Sequence, residues 1–163
     1  MLRLRNRQRL RRKEVADLAV SLEGNFGCAV FPPDEAVETA EAGALTVVLV
    51  RGTALGLLAG GRPSLSVRGA IEYRPTRRFV TVDMGAVKFV YNGADVMAPG
   101  IVDADPSIAV GDLVWVRDER NRQPLAVGEA LMTGADMNAA EKGKAVRSLH
   151  HVGDEVWKLD ESP

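Results

Sequence analysis

Two kinds of hydrophobic pattern follow each other at the start of the chain. Residues 2–10 alternate with a period of two, which predicts an extended or strand-like segment. The next apolar residues recur at the spacing of one helical face and predict a helix, which Gly24 would end. The residues of that predicted face are Val15, Leu18, Ala19 and Leu22.

Short apolar runs fill the rest of the first half. Phe26–Phe31 ends at a pair of prolines, Leu45–Val50 is rich in β-branched residues, and Ala54–Leu58 follows a two-residue break. These runs predict a small antiparallel meander. A loop then leads into a short helix, which begins at residue 63 or 64 and ends before Pro75.

The second half is patterned as short strands with two short helices. The predicted strands are Phe79–Val82, Val96–Ile101 (interrupted by Pro99-Gly100), Leu113–Val116, Leu125–Leu131, Ala145–His151 and Val156–Leu159. Asp83 is a good N-cap for a helix that Asn92-Gly93 would end, and Thr133 caps the second helix. The predicted face of the first helix comprises Ala86, Phe89 and Val90. Six or so short strands in one half predict a small barrel and not a parallel α/β sheet.

The charges are divided unevenly along the chain. Lys plus Arg is 21 and Asp plus Glu is 22, so the net charge of −1 names no partner. Residues 1–13, however, hold seven cations and no acids, which leaves 14 cations against 22 acids in the remainder. A basic segment on an acidic body points to nucleic acid or an acidic membrane surface. Two interpretations stay open for it: a flexible clamp on phosphates, or an edge strand whose charges block edge-to-edge pairing.

Several function classes find no support in the residues. Cys28 is the single cysteine, so an intramolecular disulfide and a Cys-based metal site are excluded. No apolar run approaches the length that spans a bilayer, and no secretory signal follows the basic start, so a soluble, cytoplasmic protein is expected. P-loop, zinc-protease and nucleophile-elbow motifs are absent. We therefore expect no enzyme activity, cofactor or metal.

Three segments of the second half are distinctive: VDMGAVKFVYNGADVMAPGI (82–101), GDLVWVRDERNRQPLAVGEALM (111–132) and KGKAVRSLHHVGDEVW (142–157). In sequence, order and spacing they resemble the PUA domain, the RNA-binding module named for pseudouridine synthases and archaeosine transglycosylases. The layout is similar to that of the malignant T-cell-amplified-sequence (MCTS) proteins and their archaeal relatives, in which a small domain precedes a C-terminal PUA domain. The Arg-rich start resembles the archaeal members. This resemblance implies an α+β N-terminal domain (1–75) followed by a mostly-β PUA pseudobarrel (76–160).

The resemblance also implies a function. It points to a non-catalytic RNA-binding protein in translation, acting on tRNA near the acceptor end or on ribosomal RNA of the small ribosomal subunit, in initiation or recycling. A density-regulated-protein-like partner is implied as well, and no membrane. Two alternatives stay open: a targeting subunit for an RNA-modifying enzyme, and a protein-docking adaptor with weak affinity for RNA.

In PUA domains the first helix and the strand after it form the RNA-binding face, which the resemblance carries onto residues 83–92 and the strand that follows. The candidate RNA-binding residues are Arg77, Arg78, Gly85, Lys88, Asn92, Gly93, Ala94, Met97, Pro99, Gly100, Arg147 and His150. Small residues at Gly93-Ala94 would let an RNA backbone approach, and freed N–H groups there would meet a phosphate. Alternatively, Asn-Gly and Pro-Gly are simply good turn formers.

The charged and aromatic candidates also have two interpretations each. Lys88 is expected at the rim of its helix, as a phosphate contact or a solvated lysine. Arg77 and Arg78 would converge with Lys142, Lys144 and Arg147 if the first and last strands of a closed barrel are neighbours; otherwise they are scattered surface charges. Of His150 and His151, one is expected to pack inside and one to face outward, where it would stack on a base or bind a phosphate. Both Trp115 and Trp157 are expected to fill the core or its rim.

Overall fold

The structure is a computed structural model that describes residues 2–159 of the 163-residue chain. The chain forms two compact units, which are described separately: Met1–Thr76 together with Glu155–Pro163, and Arg77–Asp154. Residues 1 and 160, at which the predicted domains begin and end, lie outside the described residues. Within residues 2–159, no helix has both the length and the apolar character needed to cross a membrane.

A five-stranded antiparallel sheet forms the centre of the first unit. Its strands, in spatial order, are β1 (Leu4–Arg9), β2 (Val37–Ala42), β3 (Leu45–Val50), β4 (Thr53–Ala59) and β5 (Arg62–Leu65). The helices of this unit are α1 (Arg12–Phe26), α2 (Val67–Tyr73) and α5 (Glu155–Lys158). Alanines and valines of β2, β3 and β4 pack into a core together with Val156 of α5.

Several predictions for the first unit are wrong. Helix α1 continues through Gly24 to Phe26 and is capped by Gly27, whose φ of 65° is left-handed and whose N–H donates to the carbonyl of Glu23 at 2.9 Å. The segment predicted as strand Phe26–Phe31 begins inside this helix, where Phe26 is fully buried. Strand β2 was not predicted, because its sequence VETAEA has only small or single apolar residues to signal a buried face.

The helix after the sheet begins later than predicted. Residues 62–65, which include the predicted start, pair with β4. Helix α2 is instead capped by Ser66, whose hydroxyl accepts a hydrogen bond from the N–H of Gly69 at 3.0 Å. A Cβ on Gly69 would overlap the carbonyl oxygen of Leu55, so glycine allows the helix to lie directly on β4. The predicted strand Val156–Leu159 is also wrong: these residues lie in and just after α5.

The second unit is a six-stranded pseudobarrel with two helices, and the predicted fold class, an α+β domain followed by a mostly-β pseudobarrel, is confirmed. The elements in chain order are β6 (Phe79–Val82), α3 (Met84–Tyr91), β7 (Val96–Met97), a 3-10 turn (Ala98–Gly100), β8 (Ile101–Ala104), β9 (Leu113–Asp118), β10 (Pro124–Ala130), α4 (Gly134–Ala139) and β11 (Lys144–His151). The spatial order is β7-β11-β10-β9-β6-β8, and only the β6–β9 pair is parallel. Valines of β6, β9 and β11 fill the interior.

The Pro99-Gly100 interruption has a larger effect than a kink in one strand. The 3-10 turn divides the predicted Val96–Ile101 strand into β7 and β8, which lie at opposite ends of the strand order. Strand β7 pairs with β11, whereas β8 pairs with β6. The turn therefore carries the chain across the open side of the pseudobarrel.

Candidate RNA interface

Helix α3 is fixed at its start by Asp83. The Asp83 carboxylate accepts a hydrogen bond from the N–H of Ala86 at 2.9 Å, which caps the helix as predicted. The N–H of Asp83 donates to the carbonyl of Gly100, also at 2.9 Å. A Cβ on Gly100 would lie 3.2 Å from that of Ala86, so a glycine at this position lets the 3-10 turn approach the helix closely.

The end of helix α3 is a Schellman motif. Gly93 has a left-handed φ of 85°, its N–H donates to the carbonyl of Val90, and the N–H of Ala94 donates to the carbonyl of Phe89, both at 3.0 Å. The predicted helix end at Asn92-Gly93 is confirmed. The N–H groups proposed to meet a phosphate are already hydrogen-bonded, so that part of the prediction is wrong. A Cβ on Gly93 would lie 3.0 Å from Nε2 of His151, which gives glycine a second reason to occupy this position.

A groove of about 590 Å³ lies beside helix α3 and beneath the turn that follows it. Its lining is Asp83, Gly85, Ala86, Phe89, Val90, Ala94, Asp95, Val96, Met97, Pro99, Gly100 and Lys144. The walls are mostly apolar, and two of their large side chains are open to solvent: Phe89 is 56% exposed and Met97 is 46% exposed. The groove brings together five of the twelve predicted site residues: Gly85, Ala94, Met97, Pro99 and Gly100.

The predicted buried face of helix α3 requires a correction. Val90 is 2% exposed and lies in the core, and Ala86 and Val87 pack against it. Phe89, on the same predicted face, is 56% exposed and is not part of the core, although all three residues of that face line the groove. Apolar residues occupy six of the eight positions of this helix, more than one face of a short helix can bury. This excess of apolar residues was the signal in the sequence that an aromatic side chain of the helix, here Phe89, would stay exposed.

Carboxylates and one lysine mark the polar rim of the groove. Lys144 Nζ lies 3.3 Å from Oδ2 of Asp95, and Oδ1 of Asp95 accepts a hydrogen bond from the N–H of Ser148 at 2.9 Å. The pKa of Asp95 is lowered, chiefly by the Ser148 hydrogen bond and further by Lys144, although partial burial opposes the shift. Lys144 faces Met97 directly across the β7–β11 pair. The groove therefore offers apolar contact, one paired cation and carboxylate acceptors.

The remaining basic candidates lie outside the groove lining. Lys88 is exposed on α3, with Nζ 5.1 Å from the centre of the Phe89 ring. Nη2 of Arg147 lies 3.0 Å from Oε1 of Glu129 on the neighbouring strand, so a phosphate would have to compete with that carboxylate. Asn92 is exposed at the helix end.

Arg77 and Arg78 do not converge with the cations of β11. Strands β9 and β10 lie between β6 and β11, so the expected neighbourhood of the first and last strands is wrong. Arg78 also precedes the groove residue Asp83 by five residues of extended chain, about 16 Å. The guanidinium of Arg78 lies 3.5 Å from the carboxylate of Asp112, and the backbone N–H of Arg78 donates to the carboxylate of Asp105. Burial raises the pKa of Asp105, but hydrogen bonds from Arg78 and from Ser107 together bring it below the usual value.

The two adjacent histidines divide as expected into one packed and one partly exposed side chain. His150 is 1% exposed, and its Nδ1 lies 2.9 and 3.0 Å from the carboxylate oxygens of Asp154. The prediction that His150 contacts RNA is therefore wrong, because its side chain is buried. His151 is half-buried against Gly93. Trp115 is 4% exposed, and Trp157 stacks beneath the guanidinium of Arg68 in the first unit.

Comparisons with known proteins agree with this architecture. The PUA domain family model matches residues 78–152, so the second unit defines the class: the chain is a PUA-domain protein. An uncharacterised protein of Methanocaldococcus jannaschii is 39% identical over 97% of this chain and 99% of its own length. A hypothetical protein of Pyrococcus horikoshii has a crystal structure that superposes with a TM-score of 0.82, at 34% identity over 94% of this chain and 98% of that one.

Eukaryotic relatives match about half of the chain. Translation machinery-associated protein 20 of Saccharomyces cerevisiae is 36% identical over 49% of this chain and 48% of its own length. Human malignant T-cell-amplified sequence 2 is 33% identical over 48% of this chain and 45% of its own length. The chain belongs to the family of PUA-domain proteins that includes these two proteins, as one of its archaeal-type members.

Proposed function

We propose that the protein is a non-catalytic RNA-binding protein of translation whose second unit holds the single-stranded acceptor end of tRNA in the groove beside helix α3. The observation that carries the proposal is the groove itself, which leaves Phe89 and Met97 exposed between backbone segments brought close by Gly100. Membership of a PUA family and the name of the yeast relative, translation machinery-associated protein 20, support the setting.

The chemistry of the groove suits bases better than phosphates. Unpaired bases of RNA are typically bound by stacking on exposed aromatic side chains and by hydrogen bonds to their edges. Phe89 offers such a face, and the carboxylates of Asp83 and Asp95 are acceptors at the rim. The one cation of the lining, Lys144, is paired with Asp95. A single-stranded end with splayed bases is therefore a better ligand than a duplex backbone.

The small ribosomal subunit and a density-regulated-protein-like partner belong to the same proposal. A protein bound to the small subunit that also holds an acceptor end would act on the tRNA carried by that subunit, during initiation or recycling. The support for these partners is family membership, and a pull-down from an archaeal ribosome preparation would test them.

The test is a titration of labelled tRNA with an intact or a trimmed 3′ CCA end at moderate salt. Wild-type protein is expected to bind the intact tRNA about tenfold more tightly, since stacking of one base contributes roughly 1–3 kcal/mol. Phe89→Ala is expected to remove most of that difference. Tyr91→Ala is the matched control, because Tyr91 is an exposed aromatic residue of the same helix that does not line the groove.

Two results would contradict the proposal. Equal affinity of the wild type for intact and trimmed tRNA would mean that the groove does not hold the acceptor end. Equal losses in Phe89→Ala and Tyr91→Ala would mean that the helix, and not the groove, is responsible.

A further inference from the structure

The most concentrated charge in the molecule lies in the first unit, away from the groove residues in sequence. Strand β1 and the start of α1 carry Arg3, Arg5, Arg7, Arg9, Arg11, Arg12 and Lys13, all with exposed side chains. We call these seven residues the basic edge. Arg7 is paired with Glu38 at 2.9 Å and Arg12 with Asp34 at 3.3 Å. Within residues 2–159, the other five have no carboxylate within 4.0 Å.

The basic segment forms the edge strand β1 and the first turn of α1, so the expectation of a flexible arm is wrong, whereas phosphate binding and edge protection both stay open as functions. Strand β1 pairs with β2 on one side and with no other strand of the described residues on the other. A bulge at Asn6, whose φ is 50°, shifts the register, so Arg5 lies opposite Glu41 and Arg9 opposite Glu38. Because Glu38 and Glu41 are three residues apart on a regular strand, Arg5 and Arg9 lie on opposite faces of the sheet.

The distribution of these charges is poor for stability. The N-terminal turn of a helix favours acidic residues, but α1 begins with Arg12 and Lys13, and Glu14 is the one acid of its first turn. Protection of an exposed edge explains a few charges on a short strand. It does not explain cations that continue past the strand into the helix. Asp34 compensates Arg12 at the start of the helix, but no carboxylate of the described residues lies within 4.0 Å of Lys13. Local rules broken without a compensating contact are typical of functional surfaces.

We propose that the basic edge is a second RNA-binding surface, which holds backbone phosphates independently of base sequence and of the groove. Six of its seven cations are arginines, whose planar guanidinium groups bind phosphate oxygens in a bidentate manner. Because β1 pairs on one side within the described residues, the backbone N–H groups on its other edge would add donors along the same line. An acidic membrane is the poorer partner, because the apolar residues next to this surface, Leu2, Leu4 and Leu10, are half-buried.

The test measures binding of a labelled RNA duplex at several salt concentrations. The variant R3Q/R5Q/R9Q removes three cations that have no carboxylate within 4.0 Å among residues 2–159. It is expected to bind roughly tenfold or more weakly and to flatten the log–log salt slope by about 2.7, at about 0.9 for each phosphate contact. The control R120Q/R122Q/K158Q removes the same charge at exposed positions outside the basic edge and is expected to keep the wild-type slope.

The outcomes separate this proposal from the groove and from other partners. Phe89→Ala should leave the salt slope for duplex binding unchanged. The duplex assay therefore tests the basic edge even if the groove does not bind the acceptor end. Equal losses in the two charge variants would overturn the proposal, because net charge alone would then explain binding. Unchanged duplex binding, with self-association of R3Q/R5Q/R9Q, would assign the basic edge to edge protection. If wild type binds vesicles containing phosphatidylserine more tightly than it binds the RNA duplex, the basic edge would be assigned to membranes.

Discussion

The two units present opposite kinds of surface. The groove of the second unit is mostly apolar, and the one cation of its lining, Lys144, is paired with a carboxylate. Outside the lining, Arg147 is also paired with a carboxylate, and Lys88 lies with Nζ 5.1 Å from the centre of the Phe89 ring. The basic edge of the first unit has seven exposed cations, two of which are paired within the described residues. Contacts to phosphates position a protein on a nucleic acid, whereas contacts to bases specify the site. The contrast leads us to propose that affinity and selectivity for RNA come from different units.

This contrast was hidden in the overall charge. A net charge of −1 predicts no general attraction to RNA. The acids, however, are spread over the chain as helix caps, turn residues and ion-pair partners, as Asp83 and Asp95 illustrate. The cations of the basic edge are gathered on one strand and one helical turn, so their local field differs from that of the whole molecule.

The largest effect on stability is expected from weakening the packing of helix α3, which forms one wall of the groove. Val90→Ala deletes two methyl groups at a position that is 2% exposed, and it should lower the free energy of unfolding of the second unit by about 2 kcal/mol. Urea unfolding followed by Trp115 fluorescence in a Trp157→Phe background reports this unit. Val110→Ala, at a position 63% exposed, is the control and should change stability by less than about 0.5 kcal/mol. A similar small change for Val90→Ala would mean that helix α3 is not packed as described.

A smaller effect is expected from the cap of the same helix. Asp83→Ala removes the acceptor for the N–H of Ala86 and should cost about 1 kcal/mol of stability. Asp83→Asn keeps an acceptor at the same place and should retain most of it. The comparison is made in the same urea assay. Equal losses in both variants would show that the charge of Asp83, and not its capping hydrogen bond, supports the groove.

The smallest effect is on the pH dependence of stability, which depends on Asp95 at the rim of the groove. Hydrogen bonding to Ser148 and the neighbouring Lys144 hold the pKa of Asp95 below its usual value of about 3.9. The carboxylate therefore stabilises the fold above that value, and this contribution is lost as the pH falls through the lowered pKa. Between neutral pH and about pH 3, wild type should lose more stability than Asp95→Asn. Parallel losses in the two proteins would contradict the role of Asp95.

The second unit was largely predictable because its helix caps and turns are determined by neighbouring residues in the sequence. Asp83, Asn92-Gly93 and Thr133 each act within three or four residues, through caps and turns that the sequence displays directly. The first unit has weaker local signals. Gly24 looked like a helix end, but packing of Leu22 and Phe26 continues the helix to Gly27. Tertiary packing also determines the structure of the residues that follow Asp154. They form helix α5, and Val156 joins the core of the first unit.

The groove was predictable only in part, for a related reason. Its backbone residues, such as Gly100 and Pro99, came from the family resemblance and lie together in the structure. Side-chain exposure depends on which strands become neighbours, and no local pattern reports that. The sequence places Phe89 on the same helix face as Val90, and it names His150 as an RNA contact. In the structure Phe89 is exposed, whereas Val90 and His150 are buried. Arg77 and Arg78 were grouped with β11 because the strand order could not be read from the sequence.

One experiment tests the proposed division between the units most directly. Intact and trimmed tRNA are titrated at several salt concentrations with wild type, Phe89→Ala and R3Q/R5Q/R9Q. The account predicts that Phe89→Ala loses the preference for the intact end and keeps the salt slope, whereas R3Q/R5Q/R9Q keeps the preference and loses slope. A single variant that removes both the preference and the slope would contradict the account, because one surface would then supply affinity and selectivity together.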